Sequence, residues 1–118
     1  MTMIHAVVFD CADPFKVRAF WRAALGYEDG VTRDDWCTLR HPRGAGPQLS
    51  FDTVPEGKVV KNRLHLDLRP EGRTRDEERT RLEHLGATTL RLVDDNPADI
   101  HYIMADPEGN EFCILNPA

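Results

Sequence analysis

A chain of 118 residues, 41% apolar and 30% charged, can build one core inside a solvated exterior, which excludes a disordered or low-complexity protein and leaves little length for a second domain. Twenty acidic residues against fifteen basic ones give a net charge of −5, the wrong sign for displacing counterions from a phosphate backbone, so no nucleic-acid partner is expected. No apolar run approaches the roughly 20 residues of a spanning helix, the opening MTMIHAVVFDCADP shows no secretory pattern, and Cys11, Cys37 and Cys113 form no C-x-x-C pair. The expectation is a soluble, cytoplasmic protein with reduced thiols and no membrane partner.

In chain order, Ile4 to Cys11 (IHAVVFDC) is rich in β-branched and aromatic residues and is predicted as a buried strand. Asp13 then offers a helix cap and Pro14 a first-turn residue, after which Val17, Phe20, Trp21 and Ala24 recur at helical spacing until Leu25-Gly26. Trp36 to Leu39 and Gln48 to Asp52 are strand-like runs separated by the Pro/Gly-rich stretch from His41 to Pro47. Arg63 to Leu68 alternates in period two, with Leu64, Leu66 and Leu68 on one face and His65 and Asp67 on the other. Thr74 and Glu77 have capping-box spacing, and the charged helix that follows, in which Glu77 and Arg81 stand at i, i+4, ends at Leu85-Gly86. Thr88 to Val93, His101 to Ala105 and Glu111 to Leu115 complete the strands, the last two joined by the loop Asp106-Pro107-Glu108-Gly109-Asn110.

The order strand, helix, strands therefore occurs twice, an internal repeat argued from element order and turn positions. Each half, about residues 1–56 and 57–118, has too little sheet and helix to bury both faces. The expected architecture is α+β: two βαβββ modules paired into a curved mixed and antiparallel sheet with an open cup, helices outside, and the site in the cleft between the halves.

Three segments, DCADP with the following FW and ALG, VPEGKVVKNRLHLDLRP, and DPEGNEFCILNP, together resemble the glyoxalase-like (glyoxalase/bleomycin resistance/dioxygenase) domain of the vicinal oxygen chelate superfamily, in order and over essentially the whole chain. The resemblance implies a fold that hosts lyases, dioxygenases, epimerases, thiol transferases and non-catalytic binding proteins. It also implies a homodimer, with ligands to a divalent metal on the first and last strand of each half, where the ion chelates two adjacent substrate oxygens as a Lewis acid. Those positions fall here at Ala6, with His5 one residue away on the opposite face, at Phe51 or Asp52, at His65, and at Cys113 where a glutamate is typical. His65, Asp52 and Cys113 are thus the candidate metal ligands, for Zn, Ni, Fe or Mn, with a thiolate favouring Zn.

Each of these residues also has a plain structural role open to it. His65 can pair with Asp67 on its own face, and Cys113 can pack as a small hydrophobe or act as a nucleophile if His65 lowers its pKa. Trp21 belongs to the apolar stripe of the first helix, whereas Trp36 suits a pocket wall. His101 can reach the pocket rim, and the cations of Lys58 to Arg63 can stand at its entrance and attract an acidic substrate. The expected ligand-binding set is His65, Asp52, Cys113, Trp36 and His101. Because the metal set is incomplete, the reading is a glyoxalase-like protein that binds a small organic ligand in the sheet cup without the family's full metal site. A metal-dependent lyase, isomerase or dioxygenase is the alternative.

Overall fold

A parallel pairing of the first strand with the last organises each half of the chain. The computed structural model describes residues 1–118 as two units, Met1–Gly57 and Lys58–Ala118. The first contains β1 (Ala6–Cys11), α1 (Pro14–Leu25), β2 (Glu28–Thr32), β3 (Trp36–Arg40) and β4 (Gln48–Thr53). Its sheet runs β1-β4-β3-β2, with β1 parallel to β4 and the other pairs antiparallel. The second repeats the plan with β5 (Leu66–Leu68), α2 (Arg75–Leu85), β6 (Thr88–Val93), β7 (His101–Ala105) and β8 (Glu111–Ile114), in the order β5-β8-β7-β6. Both units are βαβββ modules, and the class is α+β.

Helix α1 forms where the sequence places it. The Asp13 side chain accepts from the Lys16 N–H at 3.2 Å, Pro14 opens the first turn, and Gly26, at φ 69°, takes the left-handed conformation that lets its N–H reach the Arg22 carbonyl. Its stripe of Val17, Phe20 and Trp21 is buried, and Trp21 meets Phe9 of β1 at 5.4 Å between ring centroids, while Phe9 stacks on Phe51 of β4 at 5.2 Å. Alternation then fixes the other side: Cys11, Cys37, Leu39, Leu49 and Phe51 are buried, while Val8, Trp36, Ser50 and Asp52 belong to the face turned away from α1.

Helix α2 has the expected capping box, with Thr74 accepting from the Glu77 N–H and Glu77 accepting from the Thr74 N–H. Glu77, expected opposite Arg81 at i, i+4, is engaged in the cap. Arg81 grips the buried Glu78 through two bonds of 2.7 and 3.0 Å. Apolar burial from α2 itself comes chiefly from Leu82, and polar contacts do the rest: the Tyr102 hydroxyl donates to Asp76 at 2.6 Å, and the Arg79 guanidinium lies over the Tyr102 ring at 4.9 Å.

Two strand starts differ from the sequence reading. Strand β1 starts at Ala6 rather than Ile4, since its ladder opens opposite Gln48, directly after Pro47. Strand β5 starts at Leu66 rather than Arg63, and Leu64 is 87% exposed. In the β5–β8 register Leu66 stands opposite Phe112, so Leu64 would face Asn110, inside the loop that closes on the buried Asp106 carboxylate and offers no ladder. Side-chain bonds replace it: the Asn62 N–H donates to Glu111 and the Asn62 amide to Asn110.

Strand β2 was not read from the sequence at all. EDGVT is exposed throughout, an outer strand held by the β3 ladder and by Arg18 and Arg22 of α1 on Asp29. Its register shifts between Asp29 and Thr32, and Gly30 lies in that irregularity so close to Thr38 Oγ1 that a Cβ would collide with it. Thr38 is itself fixed by the Val31 N–H at 2.8 Å. Gly30→Ala should therefore destabilise the protein by about 1–3 kcal/mol in urea unfolding, and an unchanged midpoint would show that Thr38 gives way.

Candidate functional site

The face of the first unit opposite α1 carries a depression of about 420 Å³ lined by Val8, Asp35, Trp36, Ser50, Asp52 and Thr53. The register explains the grouping, because Trp36 and Asp52 are direct antiparallel partners, and Val8 stands beside Ser50 across the parallel β1–β4 pair. The rim is anchored where both the N–H and the hydroxyl of Thr53 donate to the Asp35 carbonyl, at 3.0 and 2.7 Å. Within the wall, Gln48 donates to the Ser50 hydroxyl at 3.2 Å. Val8, 53% exposed, is an apolar floor, and Asp10 adds a further carboxylate directly beside Asp52 in the ladder. The depression thus has one large ring, one apolar patch, hydroxyls and carboxylates, and no cationic side chain in its lining.

In the second unit the face opposite α2 brings His65, Asp67 and Cys113 together, their donor atoms all within 4.8 Å of one another. Asp67 and Cys113 are direct partners in the β5–β8 ladder, and His65 precedes Asp67 by two residues, with its Nε2 3.2 Å from Asp67 Oδ1. The Asp67 carboxylate lies beside the Cys113 thiol. Burial, together with the nearby Asp67 carboxylate, pushes the thiol up to about 11. Cys113 is therefore a neutral thiol at ordinary pH, and the expectation that His65 activates it as a nucleophile is corrected: the group next to it is an anion that holds the proton on sulfur.

Of the expected trio His65, Asp52 and Cys113, His65 and Cys113 meet within the second unit, together with the Asp67 carboxylate, which the sequence reading had treated only as a partner for His65. Asp52 belongs to the first unit and lines its depression with Trp36, the pocket-wall residue expected there. Asp35 was missed because it precedes a strand and its place depends on the Thr53 bonds. His101, on the same face as Ile103 and so as its ladder partner Cys113, is oriented by the Asp99 carbonyl at 3.1 Å. His5 is exposed ahead of β1.

Of the cations of Lys58 to Arg63, expected at the pocket entrance, Lys58 is taken up by a carboxylate. Lys58 bonds Glu111 at 2.9 Å and the Val60 carbonyl at 2.9 Å. Burial pushes the Glu111 carboxyl up, but the Lys58 ammonium and the N–H of Asn62 outweigh it and hold it below the usual carboxylate range.

As donors, a histidine nitrogen, a carboxylate and a thiol suit a borderline-soft divalent ion, and their spacing on one face of two paired strands allows one ion to reach all three. The residues therefore fit a zinc-type ion better than a hard, oxygen-seeking one.

These two modules define a protein class, and the chain belongs to it: residues 6–115 match the glyoxalase-like domain, of the vicinal oxygen chelate superfamily. No match was found among curated proteins. Among solved structures, the chain is similar to a glyoxalase/bleomycin resistance protein/dioxygenase family enzyme from Burkholderia phytofirmans, at 17% identity and a TM-score of 0.76 over 96% of this chain and 97% of that one. It is similar to the genomically encoded fosfomycin resistance protein of Listeria monocytogenes, in complex with Mn(II) and a dihydroxypropylphosphonic acid, at 13% identity and a TM-score of 0.77 over 99% and 90% of the two chains. It is also similar to lactoylglutathione lyase from Agrobacterium tumefaciens, at 17% identity and a TM-score of 0.68 over 98% and 93%. At these identities the likeness is one of fold.

The Cys113 thiol gives a pH signature. Its folded pKa is raised, so between the ordinary value of 9.0 and about 11 the unfolded chain ionises while the folded one keeps its proton. The stability this contributes is full below that window and is lost as pH rises through it. Denaturant unfolding of chelator-treated protein should show this fall, and Cys113→Ala should lessen it, leaving the part due to the Cys37 thiol and the Tyr102 phenol, which are also pushed up; an equal slope in the variant would place the titrating group elsewhere.

Proposed function

We propose that this glyoxalase-like protein binds a small organic molecule, and that Trp36 and Asp52 are its principal contacts on the first unit. What carries the reading is the lining of the depression: an indole beside an exposed valine, ringed by the Asp35 and Asp52 carboxylates and the Ser50 and Thr53 hydroxyls. Such a surface favours a flat body with hydrogen-bond donors or a positive charge at its edge, because the ring supplies contact area and the carboxylates accept. Asp10 and Asp52 are adjacent like charges, and a bound cation would relieve their repulsion. The depression is of a size usual for small-ligand sites, roughly 300–1,000 Å³.

A second reading is supported by the donors on the second unit: a metal-dependent lyase, isomerase or dioxygenase of the glyoxalase type. An ion held by His65, Asp67 and Cys113 would polarise a substrate oxygen. In that reading His101, on the same face, is a candidate for orienting the substrate or moving a proton, and Cys113 serves through its sulfur. The reading also takes the protein as a homodimer, since β2 and β6 are outer strands and Leu90 and Leu92 of β6 are exposed. A reducing cytoplasm suits its three buried cysteines, none of them in a disulfide, and no helix is long and apolar enough to cross a membrane.

Heteroaromatic amines, their neutral isosteres and the matching carboxylates, compared by thermal shift and calorimetry, separate these possibilities. The amines should bind, Trp36→Ala should weaken them by at least about tenfold, and Asp52→Asn should weaken the charged amines more than the neutral isosteres. Carboxylates binding as well as amines, or affinities unmoved by Trp36→Ala, would sink the assignment.

A further inference from the structure

The α2 side of the second unit carries a row of arginines with no acid paired to them. We propose that Arg69, Arg75 and Arg79 form a binding site for a compact oxyanion, a phosphate or sulfate group carried by a small molecule. Tyr102, over which Arg75 and Arg79 lie, is on the face of the sheet opposite Cys113, and Trp36 belongs to the other unit. The proposal therefore goes beyond the amine and metal readings above and depends on neither.

Shared anchors join the three guanidiniums. Arg69 donates to the Asn116 carbonyl at 2.9 Å, and Arg75 donates to the Asn116 side-chain oxygen at 2.7 Å and to the Ile100 carbonyl at 3.0 Å. One residue thus holds two of them side by side. Arg75 and Arg79 stand at i, i+4 on α2, with their guanidinium carbons 5.9 and 4.9 Å from the centroid of the Tyr102 ring. A guanidinium laid on a ring is held through its face and keeps edge N–H groups for bonds in its own plane. The row is positioned by an aromatic ring and neutral oxygens, and neither cancels its charge.

The acids close by are engaged elsewhere. In the first turn of α2, Asp76 accepts from the Tyr102 hydroxyl, Glu77 is bound in the cap, and Glu78 is gripped by Arg81. The arginine and lysine ion pairs of this protein use Arg18, Arg22, Arg40, Lys58 and Arg81, and none of the row. In a chain of net charge −5, that leaves a local concentration of uncompensated positive charge. Arg75 Nε and Arg79 Nε are moreover buried donors without an acceptor, which a charged oxygen brought against either guanidinium would supply.

The same surroundings choose the ligand. A group with several charged oxygens can accept from more than one guanidinium at once, as neighbouring forks require. Asp76 and Glu77 follow Arg75 directly in the sequence, so a long polyanion would meet their charge, whereas a single compact group need not. The capping box already occupies the end of α2, so the arginines and not the helix terminus make the site.

The test uses the full chain, stripped of metal and dialysed free of chelator, in chloride buffer at constant ionic strength. Inorganic phosphate, sulfate and phenyl phosphate are titrated by calorimetry. The expected result is saturable binding of one anion per chain, weakened at least about tenfold by Arg79→Gln and by Arg69→Gln. Arg79→Lys, which keeps the charge and loses the fork, should recover only part of the affinity. Arg75 is left in place because it ties Ile100 to Asn116, and circular dichroism of each variant checks the fold. No saturable binding of any of the three anions would overturn the proposal, as would affinity unchanged in Arg79→Gln. Single-stranded DNA binding more tightly than phenyl phosphate would also overturn it, in favour of a polyanion. Amine binding at Trp36 and metal binding at His65 are read with other probes, so each reading can fail while the others stand.

Discussion

Parallel pairing between the first and last strand of each unit is the constraint on which the rest of this protein depends. Two parallel strands cannot be joined by a tight turn, so the chain between β1 and β4, and between β5 and β8, must cross over the sheet, and α1 and α2 make part of that crossing. Once a helix covers one face, period-two alternation assigns every strand residue either to the core beneath it or to the opposite face. Phe9 and Phe51 go one way and Val8, Ser50 and Asp52 the other; Phe112 and Ile114 go one way and Cys113 the other. The candidate sites are the second half of that assignment.

The two units reach the same topology by different energetic routes. The first relies on stacked and tilted rings, with Phe9, Phe20, Trp21 and Phe51 in mutual contact. The second has a helix with few apolar residues and compensates with charge-assisted contacts, among them Glu78 with Arg81 and Asp76 with the Tyr102 hydroxyl. Its inter-strand loop is also a polar structure, with Asp106 accepting from the Glu108 and Asn110 N–H groups and Asn110 tied to Asn62. Element order and turn chemistry were therefore a better guide to the repeat than any match of core residues.

The faces opposite the helices differ in chemistry as well. That of the first unit is acidic and aromatic, without a cation in the depression's lining. That of the second collects an imidazole, a carboxylate and a thiol. The basic segment from Lys58 onward, which by sequence alone suited an entrance for acidic ligands, contributes Lys58 to the Glu111 carboxylate instead. A cation's sequence neighbours say little about whether a carboxylate from a distant strand will neutralise it.

The sequence by itself determined both helices, with their caps and glycine ends, six of the eight strands within a residue or two, the repeat, and the resemblance that the match over residues 6–115 bears out. These are local matters, settled by side-chain period, cap chemistry and turn residues within a few positions of one another. It also singled out His65, Cys113, Trp36 and Asp52 as the residues to watch. Only the tertiary structure decided the short start of β5, the existence of the exposed outer strand β2, the joining of Asp67 to His65 and Cys113, and the upward push on the Cys113 thiol. Each depends on which residue of a distant strand stands opposite, and register across a ladder is set by pairing and bulges far away in the chain, which no local pattern records.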